Sequence, residues 1–205
     1  MWAIVTDGSI TKIINQPKPL VIGNTQYSRN IFSFRWSNEE REAIGLYEVV
    51  FDNTNKKDEE YYNNTEQTFT YDADAGTVTA TYGDATAKAH ADTLFTSDDE
   101  DNGLGTEGEV KVEGLKTRKI RTIKKQAASE LARTDWYIVR KADADTAIPS
   151  AITNHRAAVR TKCAQMETAV TNASNTAAIK TLYTYTKQED GSITRPLGEL
   201  PTLEV

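Results

Sequence analysis

Hydrophobic and polar positions alternate in short runs over the first half of the chain. Residues 2–14 hold two apolar runs on either side of Asp7-Gly8, a pattern that predicts a β-hairpin. Residues 68–82 alternate in the same way across a turn that contains glycine, and predict a second hairpin. Short apolar runs at 20–22 and 47–51 predict further strands. The first half is therefore predicted to be a small β-rich region.

Two helices are predicted within this β-rich region. Ser37 and Glu40 have the spacing of a capping box, in which each side chain binds the backbone amide of the other residue. The helix that follows is predicted over about 38–44 and ends at Gly45, a residue common just after helices. Residues 85–95 are rich in alanine and predict a second short helix.

Hydrophobic positions at spacings of three and four dominate the second half, which predicts helices. One helix is predicted over 115–132, with one apolar face formed by Ile120, Ile123, Ala127 and Leu131. Another begins near Pro149, a residue favoured in the first turn. Its apolar stripe consists of Ile152, His155, Val159, Cys163, Met166 and Val170. The segment with Trp136 between these helices is predicted to be extended, and a shorter helix follows over about 176–185.

These elements predict an α+β fold, with a small β-rich N-terminal region that contains hairpins and an α-helical C-terminal region. The β-rich region is predicted over 1–95 and the helical region over 111–185. The acidic, glycine-rich segment 96–110 predicts a hinge, with the main boundary near residue 105. Residues 186–205 hold two of the five prolines and are predicted to be an extended tail.

Composition narrows the classes of partner. The 205 residues carry a net charge of −6, which does not favour nonspecific attraction to nucleic acid or to an anionic membrane. The basic stretch 111–125 is predicted to be a solvated helix face or a complement to the acidic segment before it. No apolar run is long enough to span a bilayer. The first residues lack the pattern of a secretory signal, so synthesis in a cytoplasm is expected.

The acidic segment partly matches a calcium-binding EF-hand loop. Counted from Asp98, Gly103 is the sixth residue and Glu109 the twelfth, as that loop requires. Glu100 and Asn102 occupy two of the other ligand positions, but the remaining glycines and Leu104 do not fit the pattern. A solvated hinge is therefore preferred, with Asp98, Glu100, Asn102 and Glu109 as weak candidates for metal ligands.

Catalytic residue types are scarce. His155 lies in an apolar stripe with no nucleophile spaced beside it, which favours a packed histidine over a general base. His90 is predicted to be exposed. The only cysteine, Cys163, shares the stripe of His155 and is predicted to be a small hydrophobic residue, which also excludes an internal disulfide. No catalytic residue, enzymatic activity or cofactor is predicted, and a calcium-binding or enzymatic module that uses the 98–109 loop is the remote alternative.

One stretch resembles a known family. Residues 127–161 read AASELARTDWYIVRKADADTAIPSAITNHRAAVRT, in which a helix end leads to Thr-Asp-Trp, then to a proline and to a helix with two arginines. This pattern is similar to that of tailed-bacteriophage tail assembly proteins, which include tail-fibre assembly chaperones and small baseplate-associated proteins. The matching positions are Ala128, Leu131, Thr134, Asp135, Trp136, Arg140, Pro149, Arg156 and Arg160. His155 stands where the family usually has tyrosine.

The resemblance extends over roughly 37–165 and is strongest at 127–160. It implies a non-enzymatic protein that binds tail-fibre or baseplate proteins in the host cytoplasm during assembly, as a chaperone or adaptor. Residues 1–36 and 166–205 lie outside it. Additions of this kind would suit arms of a permanent component of the virion tail, baseplate or fibre, so that alternative stays open. Self-association is also compatible with either role.

Physical chemistry also indicates roles for the residues at the matching positions. Trp136 is an apolar anchor, and Pro149 sets the start of the next helix. Arg156 and Arg160 share a helix face, where they would pair with Asp135, Asp143 or Asp145. Alternatively they would hold a carboxylate of a partner. The candidate partner-binding residues are therefore Thr134, Asp135, Trp136, Arg140, Pro149, Arg156 and Arg160.

Overall fold

A computed structural model describes residues 1–203 of the chain. It contains two compact units, of which the first spans Met1–Thr86 and the second begins at Ala87. Strands dominate the first unit and helices the second, so the fold is α+β, as the hydrophobic pattern predicts. The boundary lies before the predicted division near residue 105, because the segment 96–110 is folded within the second unit.

The first unit is built on a five-stranded sheet. Its elements are β1 (Trp2–Thr6), β2 (Ser9–Ile14), β3 (Leu20–Ile22), β4 (Thr25–Tyr27), a 3-10 turn (Arg29–Phe32), α1 (Asn38–Ala43), β5 (Leu46–Asp52), β6 (Tyr62–Asn63), β7 (Gln67–Asp72) and β8 (Thr77–Tyr82). The strand order in the sheet is β2-β1-β5-β8-β7, in which only the β5–β8 pair is parallel. Both predicted hairpins are confirmed, as β1–β2 and β7–β8.

Alternation along β1 places neighbouring residues on opposite faces of the sheet. Ile4 faces a cluster with Ile14, Leu20 and Leu46, to which Ile31 of the 3-10 turn also belongs. On the other face, Ala3 contributes to a second cluster, whose other buried members are Val49, Val78 and Ala80. The sheet therefore has apolar side chains packed on both faces, which explains why its strands are apolar as well as alternating.

The predicted capping box is confirmed at the start of α1. The Ser37 amide donates to a Glu40 carboxylate oxygen at 2.7 Å, and the Glu40 amide donates to the Ser37 hydroxyl at 3.2 Å. These two bonds satisfy amides that a helix start leaves without partners. The helix ends at Ala43, and Gly45 follows with a φ of +77°.

The second unit is built on a pair of long helices. Its elements are β9 (Thr86–Ala87, which spans the boundary between the units), β10 (Thr93–Leu94), α2 (Ser97–Asp101), β11 (Val110–Val112), α3 (Leu115–Ala132), α4 (Asp135–Ala144), α5 (Ser150–Asn172), α6 (Thr176–Tyr183), β12 (Thr186–Lys187) and β13 (Ile193–Thr194). Most residues of the predicted apolar stripes of α3 and α5 are buried, such as Ile123 and Val159, whereas Ile120, Leu131 and Cys163 are half-buried. Among residues 1–203, no helix is both long and apolar enough to cross a bilayer.

The prediction of a helix over 85–95 is wrong. These residues instead accept hydrogen bonds from the start of α3. The Asp92 carboxylate accepts from the Gly114 amide at 2.6 Å and from the Thr117 hydroxyl at 2.7 Å. The Leu115 amide donates to the carbonyl of Ala89 at 3.0 Å. These contacts supply hydrogen-bond partners for the amides at the start of α3. A helix over 85–95 would not present these acceptors in the same way.

The C-terminal residues are more structured than the predicted extended tail. β12 and β13 pair as a short antiparallel hairpin. Leu197 follows and is buried in one cluster with Ile123 of α3 and Met166 of α5. Farther on, the Leu203 amide donates to the Glu130 carboxylate at 3.3 Å. The segment after α6 therefore folds back onto the helix pair.

Candidate partner-binding surface

The start of α4 is joined to α3 and α5 by one buried arginine. Arg156 of α5 donates from Nη1 to three oxygens: the Leu131 carbonyl at 2.8 Å, the Thr134 hydroxyl at 2.7 Å and the Asp135 carboxylate at 2.8 Å. Thr134 is itself buried, and its hydroxyl donates to the Leu131 carbonyl at 2.9 Å. Of the three predicted carboxylate partners, Arg156 therefore pairs with Asp135.

The rest of α4 presents large apolar side chains to solvent. The helix has no buried residue, and Trp136, Ile138 and Val139 are all exposed, Val139 by 65%. The Trp136 ring lies over that of Tyr137 with centroids 3.9 Å apart. The Arg140 guanidinium is 4.7 Å from the centroid of the Trp136 ring, within the range of a cation–π contact. The start of α4 is therefore held by a buried arginine, and the helix carries an ordered aromatic and apolar surface. We call this surface, Trp136–Arg140, the α4 surface.

The extended structure predicted between the two long helices is wrong over most of its length, because Asp135–Ala144 is helical. Tyr137, Ile138 and Val139 are typical of strands and favour the extended interpretation. Features at the two ends of the helix outweigh this preference. Asp135 lies in the first turn, where a negative charge interacts favourably with the positive end of the helix dipole. The helix ends where Asp145 takes the left-handed conformation, with a φ of 49°.

The predicted binding residues do not form one cluster. Thr134, Asp135 and Arg156 meet at the base of α4, and Trp136 and Arg140 stack on its surface. Arg160 is exposed one turn farther along α5, so the predicted pair of arginines divides into a buried and a solvated residue. Pro149 precedes α5 and its carbonyl accepts the Ile152 amide at 3.0 Å, which confirms its place at the helix start.

The interaction of His155 with α3 depends on a residue that the sequence patterns did not single out. His155 is buried, as its stripe predicts, and its Nε2 lies 3.5 Å from the Glu130 carboxylate. Glu130 also accepts from Arg133 at 3.0 Å and from the Leu203 amide. Glu130 therefore links α3, α5 and the C-terminal segment. Periodicity alone does not reveal this role, because its partners lie far apart in the chain.

The thiol of Cys163 is in an environment that opposes nucleophilic chemistry. Burial raises its pKa, as do a hydrogen bond to the Glu167 carboxylate at 3.3 Å and the charge of that group. A raised pKa lowers the fraction of thiolate, which is the reactive form. This agrees with the prediction that Cys163 is a packing residue.

The candidate metal ligands of the acidic segment are placed on a helix and in its following turn. Asp98 and Glu100 belong to α2, and the Asn102 side-chain amide donates back to the Asp98 carbonyl at 2.7 Å. The Glu100 carboxylate accepts the Glu107 amide at 3.1 Å. Glu109 lies just before β11 and its carbonyl accepts the Phe95 amide. Within the described range 1–203, no group of three His, Cys, Asp or Glu side chains is arranged to hold a metal ion.

The same segment, predicted to be a hinge, lies within the second unit and has its backbone held by local bonds. The Thr96 and Asp99 side chains form a capping box at the start of α2, and Lys111 of β11 pairs with Asp99 at 2.6 Å. The basic stretch that follows also pairs largely within the chain. Lys124 binds Glu167 at 3.2 Å, and Lys116 donates to the Thr171 carbonyl at 2.7 Å. The predicted pairing with the acidic segment is thus observed through Lys111.

The Asp99–Lys111 pair predicts an unusual titration. The hydrogen bond from Lys111, with a further bond from the Thr96 amide, lowers the pKa of Asp99 from 3.8 to about 2. Because the folded pKa is depressed, the stabilising effect is present above the ordinary value and is lost as the pH falls through about 2. Carboxyl NMR titration should find this low pKa, and Lys111→Ala should return it toward 3.8, whereas Lys125→Ala should not.

Comparison of the chain with protein-family models, with curated proteins and with solved structures finds no match.

Proposed function

We propose that this chain is a non-enzymatic protein of a tailed bacteriophage, a tail-fibre assembly chaperone or adaptor that binds fibre or baseplate proteins through the α4 surface. The observation that carries the proposal is the exposed aromatic face of α4 on a buried, hydrogen-bonded base. The resemblance over 127–160 supplies the biological setting, and the geometry supports contact with another protein.

The side chains of the α4 surface are the types that dominate protein–protein binding energy. Tryptophan, tyrosine and arginine are enriched among the residues whose truncation costs most in interfaces. Trp136, Tyr137 and Arg140 combine all three types on one short helix, already stacked on one another. Side chains that are ordered before binding lose less entropy when the partner docks. A helix of this kind fits an apolar groove on the partner.

The pairing of Arg156 supports a positioning role for that residue. Its Nη1 donates to three oxygens of its own chain and the residue is buried, so it is not placed to hold a partner's carboxylate. It instead fixes the direction in which α4 leaves α3. Of the candidate residues, Trp136 and Arg140 are therefore the ones that we expect to contact the partner, whereas Thr134, Asp135 and Arg156 support them.

The folded state of both ends favours the chaperone or adaptor over a permanent virion component with threading arms. Residues 1–36 supply β1 and β2 of the main sheet, and Leu197 is buried against α3 and α5. Segments that pack on their own chain are not free to reach neighbouring subunits. Mass spectrometry of purified particles should therefore find the chain absent or far below stoichiometric amounts. A fixed, stoichiometric copy number would identify a virion component instead.

Removing the aromatic anchor should release the partner. We expect tagged chain, purified from cells that produce the encoding phage, to carry a fibre or baseplate protein identified by mass spectrometry. Trp136→Ala should reduce its recovery about tenfold or more, because a central aromatic anchor contributes about 2 kcal/mol or more to binding. The thermal stability of the variant should change little, since Trp136 is exposed.

Ile193→Ala is the matched control, because Ile193 is an apolar residue of the same unit that is 67% exposed. Its recovery of the tail protein should equal that of the native chain. Equal recovery with Trp136→Ala would contradict the proposal, as would a set of bound proteins that contains no tail component.

A further inference from the structure

We propose that copies of this chain associate head to tail, with the loop around Phe34 of one copy docked on the apolar and acidic segment 93–112 of another copy. This contact is separate from the α4 surface and does not depend on the proposed phage partner. It follows from two surfaces that are complementary in both charge and apolar character.

The first surface consists of an aromatic side chain that extends from a loop whose backbone is held by hydrogen bonds. Phe34 is 95% exposed, the most exposed of the large hydrophobic residues among 1–203. The backbone beside it is held by Arg41, a buried residue whose Nε donates to the Ile31 carbonyl at 2.8 Å and whose Nη2 donates to the Ser33 carbonyl at 2.6 Å. Trp36, on the other side, packs edge-on against Tyr27.

These contacts hold the backbone next to Phe34. A loop whose backbone is already fixed loses little further backbone freedom when its phenylalanine enters an apolar pocket. The loop is also basic: residues 28–36 contain Arg29 and Arg35, both exposed, and no acidic residue. We call residues 28–36 the Phe34 loop.

The second surface lies on the folded acidic segment of the other unit. Leu104 is 61% exposed, and Leu94, Val110 and Val112 are exposed as well. Leu94 and Val110 are direct partners in the β10–β11 pair, so they lie side by side. Phe95 packs against Gly105, where an added Cβ would lie 2.5 Å from the ring, and this contact brings the loop of Leu104 next to β10.

Acidic residues lie close in sequence to these apolar residues. Residues 96–112 contain six acidic residues, Asp98, Asp99, Glu100, Asp101, Glu107 and Glu109, and one basic residue, Lys111, so their net charge is −5. The Asp99–Lys111 pair and the capping box hold the segment in place. We call residues 93–112 the acidic apolar surface.

A second copy of the chain is the occupant that these observations favour. The Phe34 loop is basic with an aromatic centre, and the acidic apolar surface has the opposite charge around an apolar centre. Like surfaces would repel each other, so a symmetric contact between two Phe34 loops or between two acidic surfaces is disfavoured. A contact between unlike surfaces of identical chains is heterologous and generates rings or open filaments.

Analytical ultracentrifugation of the full chain over a wide range of concentrations tests this contact. We expect the mean mass to rise with concentration and the association to weaken as salt is added, because exposed charges are screened. Phe34→Ala and Leu104→Ala should each reduce the association constant about tenfold or more. Ile193→Ala removes an exposed apolar residue elsewhere, and should leave the constant unchanged.

Charge reversal gives the sharper test. The double variant Arg29→Glu with Arg35→Glu should stay monomeric alone, and so should Asp101→Lys with Glu107→Lys. An equimolar mixture of the two variants should form dimers, because the unaltered Phe34 loop of one variant meets the unaltered acidic apolar surface of the other. A native chain that is monomeric at every concentration would overturn the proposal. Loss of association in Ile193→Ala, or a mixture that stays monomeric, would also overturn it.

Discussion

Arg156→Ala should lower the free energy of unfolding of the second unit by about 2–3 kcal/mol. The buried guanidinium joins the end of α3, the start of α4 and the middle of α5 through three hydrogen bonds. Its removal leaves the buried Thr134 hydroxyl with one fewer partner. It also leaves a cavity where the aliphatic part of the arginine side chain was packed. Urea unfolding measures the change. Amide hydrogen exchange in Asp135–Ala144 should also increase, because α4 loses its attachment.

Arg160→Ala is the matched control, since Arg160 is an arginine of the same helix and is exposed. Its effect should stay within about 0.5 kcal/mol. Arg156→Met keeps most of the apolar length and should recover only part of the stability, because the bonds to Thr134 and Asp135 are still missing. Similar effects of Arg156→Ala and Arg160→Ala would show that the buried arginine does not fix α4.

Gly45→Ala should destabilise the first unit by about 3 kcal/mol or more. Two effects combine at this position. Gly45 has a φ of +77°, which other residues adopt at a cost, and an added Cβ would lie 2.5 Å from the Val5 carbonyl oxygen. The Gly45 carbonyl accepts the Val5 amide at 2.8 Å, so β1 cannot move away without losing this bond. Chemical denaturation followed by a probe in the first unit measures the effect.

Gly23→Ala separates the two contributions. Gly23 lies in the turn between β3 and β4 with a φ of +57°, and an added Cβ there meets nothing within 4 Å. Its cost should be limited to the backbone conformation, about 1–2 kcal/mol. The difference between the two variants measures the contact between Gly45 and Val5. Equal costs at Gly45 and Gly23 would mean that β1 adjusts freely to the added methyl group.

Features that depend on nearby residues could be predicted from the sequence. The two hairpins follow from alternation across a glycine turn, and the capping box follows from the spacing of Ser37 and Glu40. The apolar stripes of α3 and α5 follow from helical periodicity, which also placed His155 correctly in the interior. In each case the residues that determine the structure lie within a few positions of one another.

Features that depend on distant partners could not be predicted. Residues 85–95 look helical in isolation, but Asp92 is held by the start of α3. The segment 96–110 looks like a hinge, yet Lys111 and Phe95 join its two ends. The burial of Leu197 depends on a surface that only the packed helices create.

The candidate binding surface also combines features that could be predicted from the sequence with features that could not. The pairing of Arg156 with Asp135 was among the alternatives that the sequence suggested, because both groups and their opposite charges are visible in it. The helical state of Asp135–Ala144 was missed, because Tyr137, Ile138 and Val139 favour strands locally. Once α4 is helical, Trp136 and Arg140 stand one turn apart and stack, a contact that an extended chain would not allow.

The most direct test of the proposed role in tail assembly is electron microscopy of particles from the tailed phage that the proposal takes as the source of this chain, with Trp136→Ala as the variant and Ile193→Ala as the control. We expect Trp136→Ala particles to lack fibres or complete tails while heads form normally, and Ile193→Ala particles to look like those of the unmodified phage. Complete, fibre-bearing particles from a phage whose Trp136→Ala protein is folded and abundant would contradict a function of the α4 surface in tail assembly.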